Sequence, residues 1–282
     1  MMHAFASMVY RQIKRWMGSR SRLISTVIQP LLWLIFLGLG FGGVFNPENI
    51  DLSKLGINAT LPLAGNIISR YFNSVFGGVD YVTYLVSGMV AMTAFIGSFI
   101  SGISVIWDKQ FGFLKETLVA PAPRGVIILG RIVGDAIVNT IQSIIIITLA
   151  LLFTTGIKLS GIPIALLYIF IMSLGFTSLG TVISLKFQSV EGFQVIVNIL
   201  TMPLMFASGV FYPVTSMPDW MQVFAMINPL TYAVHASRYW LAGASVGFDY
   251  MDSVTDLLIL TATAGVLVLL AAKAFEKTTI ED

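Results

Sequence analysis

Residues 108–131 read DKQFGFLKETLVAPAPRGVIILGR, a short stretch of mixed charge set between two long apolar runs, 82–107 and 132–153. Phe111, Leu114 and Leu118 stand at i, i+3 and i+7, so a helix here carries them on one face, with Lys115 and Glu116 projecting elsewhere. Pro121 ends that helix, because it lacks the donor and its ring clashes with the preceding turn. Pro123 stiffens the exit. The reading is a short helix at a membrane surface, held rigidly between two spans. A floppy loop could not pass a push into the membrane; this segment can, and it offers a soluble partner something to grip.

Composition sets the frame around it. Of 282 residues, 56% are hydrophobic and 11% charged, and mean hydropathy is +0.87. A soluble domain has about 25% charged residues, so this chain has too little polar surface for water. Several runs reach the roughly 20 apolar residues that cross a bilayer, and the alternating segments of a β-barrel are missing. The expected fold is an all-α integral membrane domain occupying 1–282, with six spans at about 23–45, 82–107, 132–153, 162–185, 193–211 and 257–274. The net charge of +2 gives no footprint for nucleic acid, and the absence of cysteine removes disulfides and thiolate metal sites.

Lys and Arg give the orientation. The N-terminal arm, the loop after span two, the loop after span four and the tail together carry 12 of them, against 4 on the opposite side (Lys54, Arg70, Lys158 and Arg238). Both termini are therefore expected in the cytosol. Within the arm, 1–22, Phe5, Met8, Val9, Ile13 and Trp16 recur at helical spacing while Arg11, Lys14 and Arg15 lie elsewhere on the wheel. That is the pattern of a basic amphipathic helix in the membrane interface. The segment 46–81 is expected outside, and its Asn58-Ala59-Thr60 is a formal glycosylation sequon that carries no weight by itself.

A second unusual stretch precedes the last span. Residues 206–240 are apolar but interrupted by Pro213, Pro218 and Pro229. Ser216-Met217-Pro218-Asp219 has the form of a capping box, and Trp220, Val223, Phe224 and Ile227 make an apolar face after it. Asn228-Pro229 ends that helix, and a second runs from about residue 230 to 241. The expectation is a re-entrant hairpin, 212–241, at the outer leaflet. Non-helical backbone at that depth needs cover from protein or water.

Ionisable residues at membrane depth are few. Arg131 and Asp135 are spaced for an i, i+4 pair at the start of span three, with pathway lining as the other reading, and Glu191 opens span five. They do not make the chain of acids and histidines that a proton-driven carrier uses. Gly38 and Gly42 form GxxxG, a surface for close helix packing. There is no GxxxxGK[ST] phosphate cradle, no HExxH and no GxSxG, so no nucleotide site and no hydrolase site are legible.

Three stretches resemble a known family. FGFLKETLVAPAPRGVIILGR is similar to the segment after span two in ABC-type-2 exporter permeases, and SGVFYPVTSMPDWMQVFAMINPLTYAVHASRYWL resembles the hairpin before their last span. RQIKRWMGSRSRLISTVIQPLLWLIFLGLGFG resembles the arm and first span of their drug-resistance and polysaccharide-export branches. One departure is Asp108-Lys109-Gln110, where many relatives carry a more acidic pair.

The resemblance implies a half-transporter and no enzyme: two such chains, or one with a close paralogue, form the membrane path, and two ATP-binding cassette subunits dock below. ATP and Mg2+ would then belong to the partner, with no cofactor on this chain. By resemblance, 108–123 is the coupling helix, with Phe111, Gly112, Leu114, Lys115, Glu116, Leu118 and Pro121 as coupling residues. The hairpin with Pro213, Pro218, Trp220, Asn228 and Pro229 would act as the external gate. Cargo is expected to be an amphipathic drug, a lipid or a lipid-linked glycan, in the cytoplasmic membrane. An ion-coupled carrier acting alone and a non-transporting scaffold are the competing readings.

Overall fold

The structure is a computed structural model that describes residues 2–40 and 74–278. Its described residues form helices, short 3-10 turns and connecting loops. Helix α1, Met2–Met17, is the N-terminal arm, and α2, Arg20–Trp33, continues into a π-helical turn, Leu34–Leu39. Pro30 sits inside α2; a proline removes one i→i−4 bond, and π-helical turns are local adjustments of that ladder. The long second membrane segment is α3, Tyr81–Ile100, and α4, Ile103–Gln110; then come α5, Phe113–Val119, and α6, Arg124–Phe153. Helix α7, Ile162–Leu185, α8, Val190–Phe206, the short pair α9, Asp219–Ile227, and α10, Pro229–Ala242, and finally α11, Ser253–Glu276, complete the chain.

Four segments are long and apolar enough to cross a membrane: Tyr81–Gln110, Arg124–Phe153, Leu159–Leu185 and Ser253–Glu276. Shorter apolar helices, Leu23–Gly38 and Val190–Phe206, occupy the positions of the first and fifth expected spans. Helix α6 begins eight residues before the expected boundary at 132, because Pro123 leaves Arg124 free to start a helix at once. Gly42 and most of the expected outer segment, 46–73, with Asn58, lie outside the described residues.

Helix α3 is the centre of the bundle. Tyr84, Leu85, Val90, Phe95 and Phe99 are fully buried, packed by α6, α7 and α10. Phe95 meets Phe176 of α7 edge-on, centroids 4.6 Å apart, and Phe99 at 5.6 Å. Helix α7 in turn packs along α11, where Gly175 lies against Ala264.

The arm, expected as an amphipathic helix in the membrane interface, is a helix that also packs on protein. It lies along α6, and a Cβ placed on Gly130 or Gly134 would come within 2.8 Å of the Phe5 carbonyl or 3.0 Å of Val9 Cα. The small-xxx-small surface that matters there is Gly130 with Gly134, in α6. Gly38 instead packs near Leu85 of α3.

Candidate functional site

The segment between Tyr81–Gln110 and Arg124–Phe153 is built in three parts. Asp108, Lys109 and Gln110 are the last residues of α4, not the start of the surface helix. Phe111 and Gly112 form a tight turn in which Gly112 adopts φ +78, a left-handed conformation that costs any residue with a Cβ. Helix α5 then runs only from Phe113 to Val119. The predicted face of Phe111, Leu114 and Leu118 is broken accordingly: Phe111 precedes the helix and is 83% exposed, whereas Leu114 is 5% exposed. Leu114 is held in a small core with Ile128, Ile132, Ala271 and Phe275. Leu118 belongs to α5, but its side chain lies outside the described set. Lys115, Glu116 and Pro121 are exposed. The result is a helix rooted by one leucine that presents charge outward, with the exposed Phe111 in the turn before it.

The root is locked by ions. Asp108 is 3% exposed and accepts from Arg11 at 2.6 and 3.2 Å and from Arg131 at 2.6 Å, with Arg15 at 3.7 Å. Arg131 also donates to Ser104. The expected pairing of Arg131 with Asp135 along α6 is therefore replaced by a reach across to α4; a buried carboxylate is a stronger draw than one a turn away on the same helix. The Arg11 guanidinium lies 3.7 Å from the centroid of Phe113, so one arginine of the arm touches both the root and the surface helix. Lys109 donates to the Leu185 carbonyl at the end of α7, Gln110 to Gln188 at 3.0 Å, and Arg124 to the Glu276 and Thr278 carbonyls at 2.9 and 3.0 Å. The C-terminal ends of α7 and α11 are thus tied to this segment.

At the opposite end the chain unwinds after α8. The hairpin appears as two helices, α9 and α10, with boundaries close to those expected. Ser216 does not cap α9: it lies in a 3-10 turn, and Pro218 holds the cap position without a side-chain bond. Asn228 caps α10 by accepting from Leu230 N at 3.0 Å, and it donates to the Leu204 carbonyl at 2.7 Å. Pro229 takes the first helical position, where no donor is needed. Pro213 precedes the 3-10 turn. The predicted apolar face of α9 is confirmed as a face and is open: Trp220, Val223, Phe224 and Ile227 are 56–75% exposed.

Two ionisable groups of the hairpin, His235 and Arg238, are buried against partners that the sequence did not indicate. Arg238 is 1% exposed and donates to the Gly209, Val210 and Tyr84 carbonyls at 3.0, 3.3 and 3.4 Å, with its guanidinium 3.5 Å from the Tyr84 ring centroid. It satisfies the backbone that α8 frees when it ends, the requirement for irregular backbone at membrane depth. His235 pairs with Asp256 of α11 at 2.6 Å. An arginine among apolar neighbours at membrane depth is itself a signal that carbonyls or a carboxylate await it; the lone Asp108 at the end of an apolar span was a signal of the same kind.

Glu191 is exposed in the first turn of α8. Asp135 borders a cavity lined by residues of the arm, α2, α3 and α6. No group of acids and histidines that could hold a metal occurs among the described residues.

Comparison with known proteins follows this geometry. The family described as ABC-2 type transporter matches residues 3–241. The chain is 28% identical over 237 residues to a putative transport permease, ycf38, of Pyropia yezoensis, covering 83% of this chain and 72% of the relative. It is 29% identical over 203 residues to the probable multidrug ABC transporter permease YbhR of Escherichia coli, covering 71% of this chain and 54% of that protein. It is 25% identical over 205 residues to the inner membrane transport permease YadH of Escherichia coli, covering 72% and 75%.

Proposed function

The chain belongs to the ABC-2 type transporter family as a membrane transport permease, and we propose that it is the membrane half of an ATP-driven exporter, paired with a second copy of itself and with two separate ATPase subunits. In this reading six spans cross the cytoplasmic membrane, the helices 23–38 and 190–206 completing the set, and both termini are cytosolic. The observation that carries the proposal is the rooted surface helix α5. Leu114 and the Asp108 ion cluster fasten it to α4, α6 and the arm, while Phe111, Lys115 and Glu116 remain outward for a partner.

ATP binding would close the ATPase pair and displace the two surface helices. Because α5 is joined to α4 by one tight turn and its root is ion-paired to α1 and α6, the displacement passes to the second and third spans as a unit. The path would lie between the two permease copies and the hairpin, with Pro213, Pro218, Trp220, Asn228 and Pro229, would close its outer end. ATP and Mg2+ reside on the partner. The exposed apolar sides of α2 and α8 suit lipid or the second copy. An amphipathic cargo, a drug, a lipid or a lipid-linked glycan, fits the resemblance, and the name given to YbhR favours a drug.

Purification of the tagged chain from its native membrane in mild detergent tests this. The expected companion is a stoichiometric subunit carrying GxxxxGK[ST], lost on Glu116→Lys or Leu118→Asp. A chain that purifies alone and moves cargo in ATP-free vesicles would overturn the reading in favour of an ion-coupled carrier.

A further inference from the structure

Three helices end around one open pocket at the level of the surface helix. Lys109 in the last turn of α4, Lys186 at the cap of α7 and Lys277 at the cap of α11 border it, and its volume is about 540 Å3. Val182 and Ala274, each about one turn back along its helix, make the wall on the membrane side. No acidic side chain is among the lining residues. Lys186 and Lys277 are exposed and form no ion pair among the described residues. Glu276 adjoins Lys277 in the chain, but its carboxylate lies toward Gly125 of α6.

A helix C-terminus by itself repels an anion, because its last carbonyls point outward. Here those carbonyls are already engaged. Lys109 donates to the Leu185 carbonyl, and Arg124 donates to the Glu276 and Thr278 carbonyls. Lys186 and Lys277 therefore present their charge over helix ends whose negative field is reduced. The pocket also adjoins lipid-facing surface. Val266, Leu270 and Lys277 recur at i, i+4 and i+11, one stripe of α11. Val266 is 58% and Leu270 50% exposed. Helix α11 is long and apolar enough to cross a membrane, so this stripe meets acyl chains and its lysine stands at the leaflet surface. Positive charge at that level above an apolar wall complements an amphiphile with an anionic head.

We propose that this pocket is a site for an anionic phospholipid, with its phosphate between Lys186 and Lys277 and its acyl chains against Val266 and Leu270. The volume of about 540 Å3 falls within the roughly 300–1,000 Å3 of small-molecule sites, enough for a phosphodiester head group. The acyl chains stay in the bilayer and need no cavity. Gln188 adds an amide at the rim. A head of net negative charge is preferred to a zwitterionic one, which brings its own ammonium to the lysines. The site requires only that α7 and α11 span a membrane, and it does not depend on the transport reading.

The test is native mass spectrometry of the full chain, delipidated in mild detergent and titrated with phosphatidylglycerol or with phosphatidylcholine of the same acyl chains. Near an anionic leaflet one lysine is worth about fivefold in binding. Phosphatidylglycerol is therefore expected to bind at least about fivefold more tightly than phosphatidylcholine. That preference should vanish in Lys186→Gln/Lys277→Gln and persist in Lys186→Arg/Lys277→Arg. The control is Lys14→Gln/Lys273→Gln, which removes the same charge from exposed positions that do not border the pocket; it should stay within about twofold of the parent. All four lysines are exposed, and the unfolding temperature of each variant confirms that it is folded. Equal loss in the control and the pocket variant would mean diffuse attraction to negative lipid and would sink the proposal. So would an unchanged preference in the pocket variant, or equally tight binding of glycerol phosphate without acyl chains. Binding of phosphatidylglycerol only after deletion of residues 279–282, which include Glu281 and Asp282, would assign the lysines to the chain's own tail and also overturn it. No ATPase subunit enters these measurements, so they fail or succeed separately from the transport reading.

Discussion

Arg11 and Asp108 are 97 residues apart in the chain, and the Arg11 Nη2 lies 2.6 Å from the Asp108 Oδ1. That contact joins the N-terminal arm to the last turn before the surface helix. Asp108 is also bound by Arg131, so one carboxylate connects three separate helices. A buried charge that loses its partner is strongly destabilising, on the order of 3–5 kcal/mol. Asp108→Asn, which leaves Arg131 buried without a counter-charge, is expected to lower stability by that order. Arg11→Ala, with its side chain 26% exposed, should cost less, about 1–2 kcal/mol, and should release the arm. Denaturation in detergent and limited proteolysis within residues 2–17 measure the two effects; equal stability of Asp108→Asn and the parent would refute the role given to the cluster.

The surface helix offers a clean separation of seat from face. Leu114→Asp places a charge in the small core of Ile128, Ile132 and Phe275 and is expected to destabilise the chain by several kcal/mol. Glu116→Lys alters an exposed position, so stability should move by no more than about 0.5 kcal/mol while association with the ATPase subunit is lost. Parallel melting and co-purification decide it. Loss of folding in Glu116→Lys would mean that the helix is a structural element and not a docking face.

Gly112 turns the chain between α4 and α5 at φ +78, with open space around the missing Cβ. Gly112→Ala therefore meets no clash, only backbone strain of about 1–2 kcal/mol. The expected outcome is a chain that folds and still recruits its partner but couples poorly, seen as ATP hydrolysis without cargo movement. Full transport by Gly112→Ala would show that the aim of α5 is not critical.

Arg238→Lys is expected to fail as a substitute. The guanidinium serves the Gly209, Val210 and Tyr84 carbonyls from a planar fork, and an ammonium cannot reach all three. A loss of about 2–4 kcal/mol is expected, since several buried acceptors lose a charged donor, with protease sensitivity appearing near residues 207–213. Parent-like stability in Arg238→Lys would show that the unwound segment is held by other contacts.

Gly130→Leu and Gly134→Leu should detach the arm without touching the ion cluster directly. Both positions face arm backbone or Cβ atoms within about 3 Å, so a bulky side chain has no room. A cysteine label at Ser7 would report the change as faster modification. An unchanged rate would place the arm's attachment elsewhere.

Much of the architecture was legible before any coordinates. Apolar runs and their proline and glycine punctuation gave α7, α10 and α11 and the end of α6 to within a few residues, because helix length and helix stops depend on local chemistry. The two unusual segments were also visible, one by its mixed charge between spans and one by its three prolines. Their internal detail was not: Phe111 falls outside α5 because Gly112 turns left-handed, and Ser216 misses its cap because Pro218 takes that position in the fold.

By itself, then, the sequence determined that this chain is helical, membrane-embedded, furnished with a short surface helix and a broken hairpin, and without a nucleotide motif of its own, since hydropathy and local stops act over a few turns. Only the tertiary structure decided which charges meet. Arg131 had Asp135 one turn away, yet its guanidinium bonds to Asp108 and Ser104 on α4, and Arg238 found its acceptors on a segment nearly thirty positions earlier. Inside an apolar bundle a charge settles wherever burial and geometry satisfy most of its hydrogen-bonding groups, and that depends on how helices pack, not on how residues are spaced along one helix.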